Sequence, residues 1–145
     1  MTETLTSLRT DPPDRFRLLS TVAILFGDAL VVIAFIGVGL LSHSIEPWVY
    51  PEHLLRTATP FLLAWLVVGP ILGLFSPRTL SSYRRTLGLI TLGWIAASVL
   101  GGLIRATSYF PGGAPIDFIL VNIGFGLLFV LPWRLLVTAL VRRRS

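Results

Sequence analysis

One acid stands alone in an apolar run: Asp28, in "FGDALVVIAF" at residues 26–35. The apolar block that holds it begins near residue 18, so at about 1.5 Å per residue Asp28 lies roughly 15 Å inside. At the centre of a membrane helix a carboxylate costs roughly 2.5–3.5 kcal/mol on insertion scales. It must therefore be protonated, hydrated or paired, which points to a proton or ion site or to a buried ion pair. Two arginines are placed to meet it. Arg134, in "LPWRLL", precedes Arg142 by eight residues and so sits roughly 12 Å in from the same side. Arg105 closes a later apolar block on the opposite side, about 10 Å beyond Asp28. Depth favours Arg134, since a long basic side chain reaches several ångströms along a helix; either arginine also has a reading in which it snorkels to headgroups. Asn122 is expected to hydrogen-bond between helices, and His43 marks the mouth of the Asp28 helix.

Other chemistries find little footing. His43, Glu46, Glu52 and His53 are of metal-binding types, but their spacing matches no defensible site and suits a wet loop better. Cysteine is absent, which removes thiolate ligands, thiol catalysis and disulfides. There is no H-E-x-x-H, phosphate-cradling glycine loop, nucleophile–base set or carboxylate pair. The expected reading is a non-enzyme without metal or cofactor.

The elements that position these residues follow from hydropathy. Of the 145 residues, 54% are hydrophobic and 13% charged, too little charge to cover a soluble domain of this size. The apolar residues gather into four blocks, about 18–41, 59–75, 87–104 and 116–137. Crossing the hydrocarbon core takes roughly 20 residues, with a range of about 17 to 25. Within lipid such blocks must be helical, and no strand-like alternation is present. The fold class is thus an all-α integral membrane protein, with four transmembrane helices in a compact bundle. Residues 15–145 form that single domain, and residues 1–14, containing "DPP", read as a mobile tail. Pro60 suits a first helical turn, "SPRT" (76–79) ends the second helix, and "PGGAP" (111–115) is a turn. Trp48, Tyr50, Tyr83, Tyr109 and Trp133 fall where interfacial aromatic belts are expected.

All twelve basic residues are arginine. Arg9, Arg15, Arg17, Arg78, Arg84, Arg85, Arg142, Arg143 and Arg144 lie at one end of this topology. By the positive-inside rule that end, with both termini, is cytoplasmic, and the location is the cell membrane. The arginines flank apolar blocks instead of forming a patch interleaved with aromatics, so nucleic acid is not an expected partner. Thr21, Asp28, Phe35, Gly39 and Ser42 share one face of the first helix, which should turn Asp28 into the bundle. Gly69 and Gly73 form a G-x-x-x-G, and Gly93, Ala97 and Gly101 a broader small-residue stripe; both suit close helix packing.

Several of these residues recur as an ordered set: "GDAL" (27–30), "SH" (42–43), "RTATPF" (56–61), Trp65, Trp94, Gly101, Arg105, Phe118 and "WR" (133–134). In that set the chain resembles a prokaryotic membrane-protein family known as domain of unknown function 3054, over roughly residues 16–137. The resemblance implies four helices and an uncharacterised role. The residues themselves favour a non-enzymatic membrane component in the lipid bilayer, either a homo-oligomer or a partner of another membrane protein. The alternative is a small ion- or proton-coupled carrier, oligomeric, using Asp28.

Overall fold

The computed structural model describes residues 14–110 and 113–144. Apart from Asp14, the tail expected at 1–14 lies outside the described residues, as do two residues of the expected 111–115 turn. Four helices run in order: α1 (Asp14–Ser42), α2 (Pro51–Leu72), α3 (Tyr83–Arg105) and α4 (Ile116–Arg144). A single 3-10 turn, Thr79–Ser81, lies between α2 and α3. All four helices are long and apolar enough to cross a membrane. Short connections make neighbours antiparallel. Each helix packs against its neighbours in sequence, and α1 also meets α4, which closes a four-membered ring.

Every helix begins or ends away from its apolar block, because hydropathy reads the greasy slab while capping fixes the helix. The largest difference is α2. Pro51 occupies its first turn with Glu52 beside it, so the helix starts eight residues before position 59. Pro60 is therefore a buried interior residue and not a first-turn proline. Ser82 caps α3, its Oγ accepting from the Arg85 N–H at 3.1 Å, which starts that helix at Tyr83. The far end of α4 runs on to Arg144, past the expected 137.

The end of α2 shapes the bundle. Gly73 takes φ 68° and ψ 31°, a left-handed cap that closes the helix at Leu72, three residues short of position 75. The amides of Gly73 and Leu74 return to the carbonyls of Pro70 and Gly69 at 3.2 and 2.8 Å. Leu74 then folds inward and is fully buried against Gly93, ten residues into α3. At about 1.5 Å per residue this places the chain reversal roughly 15 Å inside the end where α3 begins. The chain from 73 to 82 regains that distance without α-helix.

Gly73 is thus a cap and not a helix-packing residue. Its partner Gly69 does make room, but for the Phe75 ring folded back from the reversal. The stripe of Gly93, Ala97 and Gly101 faces α2 and its extension: Leu74 covers Gly93, and Phe61 lies over Gly101 so closely that a Cβ would come 3.2 Å from the Phe61 Cα. Between these layers Trp65 and Trp94 meet edge to face at 5.7 Å, with Phe35 against Trp94 at 5.5 Å. Gly126 on α4 leaves space for the Trp94 indole.

On α4 the buried positions Asn122, Gly126, Val130, Arg134 and Thr138 recur every fourth residue. A four-residue step turns by about 40°, so the stripe winds around the helix. Asn122 accordingly faces α3, whereas Arg134 faces α1 and the end of α2.

The left-handed cap should be a point of strain for any other residue. Gly73→Ala is expected to lower stability by about 1–2 kcal/mol. Gly88→Ala, whose added methyl meets nothing within 4 Å, should be neutral or raise it by up to about 1 kcal/mol. Denaturant unfolding of both variants followed by circular dichroism checks the contrast; equal effects would remove the special role of the cap.

Candidate functional site: a buried acid, one arginine and two indoles

Asp28 lies at the middle of α1, 1% exposed, and Arg134 on α4 is completely buried beside it. The guanidinium meets the carboxylate side-on, with Nε donating to Oδ1 at 2.8 Å and Nη2 to Oδ2 at 2.6 Å. Each oxygen accepts one further N–H. The Trp133 indole reaches Oδ1 and the Trp65 indole reaches Oδ2, both at 2.9 Å. Four donors from three side chains on two helices thus converge on one carboxylate. Charge-assisted, bidentate geometry of this kind is the strong form of the interaction. It is also what burial requires, since two ions taken from water repay their desolvation only with good geometry and satisfied remaining lone pairs.

Neighbouring residues make the approach possible. A Cβ on Gly27 would overlap the Trp133 ring, so the glycine before the acid gives the indole its place. Phe75, folded back over Gly69, packs edge to face on Trp65 and lies 5.6 Å from the Arg134 guanidinium carbon.

Arg134 has a second task. Its Nη1 donates to the Leu74 carbonyl at 2.7 Å. That carbonyl belongs to the chain reversal after α2, where helical partners have run out. The next orphans are met in the same manner. Thr79 donates to the Gly73 carbonyl at 2.7 Å, and Thr86 lies 2.8 Å from the Thr79 carbonyl and 2.7 Å from the Thr138 hydroxyl. Non-helical backbone at depth is tolerated only when protein groups satisfy it. Here one arginine and two buried threonines do so, with Thr138 backing Thr86 from α4.

The remaining candidates lie elsewhere. Asn122 is buried one layer away, its side-chain amide donating to the Ser98 hydroxyl at 2.9 Å, while its backbone carbonyl accepts from the Trp94 indole at 3.2 Å. Arg105 does not approach Asp28. It sits at the opposite end of the bundle, bonded through Nε to the Gly113 carbonyl and stacked 4.7 Å over the Phe118 ring. His43 is exposed at the rim of an apolar cleft of about 250 Å³ between α1 and α4, with Asn122 on its wall. Glu52 and His53 belong to the first turn of α2 and not to a loop. Among the described residues no three His, Cys, Asp or Glu side chains form a group able to hold a metal ion.

The two tryptophans were the least legible part of this site. Trp133 reads from sequence as a belt residue, but it is half-buried with its N–H spent on Asp28. Trp48, Tyr50 and Tyr109 are exposed at the opposite end of the bundle, by 69, 59 and 89%, as a belt would be. The available signal for Trp133 was its place directly before a buried arginine, opposite a glycine beside a buried acid.

A family model described as "Protein of unknown function (DUF3054)" matches residues 25–137. The chain belongs to this family. The matched span contains Asp28, Trp65, the α2 reversal, Trp133 and Arg134, so the whole site lies within the family region. No curated protein and no solved structure matches the chain.

Removing one member of the pair strands the other, at a cost of about 3–5 kcal/mol. Arg134→Met should reach that range, because it also frees the Leu74 carbonyl. Asp28→Leu combined with Arg134→Met should lose far less than the sum of the single changes. A double-mutant cycle on unfolding free energy measures the coupling; simple additivity would mean that the pair contributes no mutual stabilisation.

Proposed function

We propose that this protein is a non-enzymatic component of the cell membrane, built to assemble with a second copy or with another membrane protein. The observation that carries this reading is the closed state of its most reactive-looking group. Each oxygen of Asp28 accepts two N–H donors, and its charge is matched by Arg134. An acid held in this way offers no open position to an ion or a substrate, and its bonds fasten α1, α2 and α4 together. The carrier reading with Asp28 as its ion site loses its main support for the same reason.

The outer surface supports the reading from the other side. Val22, Phe26, Leu30, Leu63, Leu66, Val67 and Ile71 are large, apolar and exposed on α1 and α2. Between those helices a shallow apolar cleft of about 320 Å³ runs beside Phe26 and Leu66. Lipid covers such a face, and so does a helix of another protein. Light scattering of the full chain in mild detergent is expected to give a protein mass of at least twice 15.9 kDa, or a stoichiometric complex with another membrane protein. A monodisperse monomer would count against assembly.

The proposed orientation places both termini and the Arg78–Arg85 end of the α2–α3 connection on the cytoplasmic side, following the arginine distribution. The cysteine-free sequence makes this directly testable. In intact cells a membrane-impermeant maleimide should label Tyr109→Cys and spare Ser81→Cys until the membrane is opened. The reverse pattern would invert the topology.

A further inference from the structure

Twelve arginines are present, and the end of the bundle opposite the termini has few of them. Among the described residues only Arg56 and Arg105 belong to that end, on α2 and α3, 49 positions apart in sequence. Both line one pocket of about 360 Å³, together with Tyr50, Glu52 and His53. We propose that this pocket is a binding site for a phosphate-bearing anion, held between the guanidiniums of Arg56 and Arg105 at the start of α2.

Three independent features converge there. Arg105 is pre-positioned: Nε is tied to the Gly113 carbonyl and the guanidinium lies over Phe118, while its two terminal nitrogens have no partner among the described residues. Arg56 likewise has no ion pair or hydrogen-bond partner among the described residues. Glu52 stands one helical turn before it, at the i,i+4 spacing that commonly gives a salt bridge, yet no such bridge forms. The arginine therefore retains its donors for something else. Finally, the first turn of α2 forms one wall of the pocket, which brings the positive end of its dipole to the site.

Two arginines on different helices lining one pocket suit an anion with acceptor oxygens on several sides. A phosphate offers that through oxygens arranged tetrahedrally, whereas a carboxylate presents two oxygens in one plane. The pocket volume falls within the range of small-molecule sites, roughly 300–1,000 Å³, enough for a phosphate and a group esterified to it. Glu52 opposes an anion, but Arg56 and Arg105 outweigh it, so the wall as a whole stays positive. The exposed Trp48, Tyr50 and Tyr109 surround the same end, a level that suits a lipid headgroup under the membrane placement proposed above. A phosphate in solution presents the same chemistry.

The test uses the full chain in non-ionic detergent, with thermal unfolding followed during titration with inorganic phosphate and, separately, short-chain phosphatidylglycerol. A rise in midpoint with inorganic phosphate assigns a free phosphate ligand; a rise with phosphatidylglycerol alone assigns the lipid. In either case Arg56→Gln, at an exposed position, should weaken binding about tenfold, the usual scale of a lost charged hydrogen bond. Arg105→Gln should do the same, and Glu52→Gln should tighten binding. No rise with either probe, or a rise that both arginine variants retain, overturns the proposal.

Discussion

A single guanidinium joins the two least comfortable groups in this bundle. Arg134 binds a carboxylate at the centre of α1 and a backbone carbonyl freed by the early end of α2. Each partner is expensive to bury alone: the acid for its charge, the carbonyl for its lost helical bond. Arg134 would itself be an uncompensated buried cation without Asp28. Charge balance at Asp28 and the satisfaction of the Leu74 carbonyl both depend on that one side chain. Lysine could not replace it, because a point charge cannot bond a carboxylate side-on and a carbonyl on another edge together.

The rest of the polar interior follows the same economy of groups. The bundle breaks helical hydrogen bonding between α2 and α3, well inside the ring, and then repairs the break from the side. The Thr79 hydroxyl bonds the Gly73 carbonyl, and the Thr86 hydroxyl joins the Thr79 carbonyl to the hydroxyl of Thr138 on α4, one turn beyond Arg134. Farther along, Asn122 and Ser98 join α4 to α3. No buried side-chain nitrogen or oxygen among the described residues lacks a partner. Polar bonds between helices define register here, because apolar faces alone slide over one another at little cost in a hydrocarbon solvent.

The four helices and the likeness to the family were legible because apolar blocks of about 20 residues have few alternatives in lipid. The inward turn of Asp28 and Phe35 was legible as well, but Ser42 on the same expected face is exposed, and the aliphatic Ile24, Val32, Ile36 and Leu40 share the buried side. Boundaries were harder: the start of α2 at Pro51 lies in a polar stretch that hydropathy counts as loop, and its end depends on the conformation of Gly73. Of the glycines, the Gly93 to Gly101 stripe reads directly as a contact face. Gly69 and Gly73 have the same spacing as a packing motif and do something else, since a motif records the absence of a side chain and not the reason for it. Arg105 was a plausible neighbour of Asp28 by type, but helix length puts it at the other end. The indole donors carried almost no signal, because tryptophan in a membrane helix has both an interfacial and an interior use.

The separation of Asp28 and Arg134 along the chain has a consequence for how the molecule is made. The two are 106 residues apart, and Trp65 follows Asp28 by 37. At a synthesis rate of about 5–20 residues per second, the acid waits on the order of 5–20 s for its cation. Throughout that interval α1 holds a group that the hydrocarbon disfavours, with an indole as its first protein ligand. Until the fourth helix arrives, α1 carries the cost of an unpaired acid, roughly 2.5–3.5 kcal/mol on insertion scales. Synthesis of α4 and pairing of the acid are thereby linked, and a chain truncated before Arg134 leaves Asp28 without its cation.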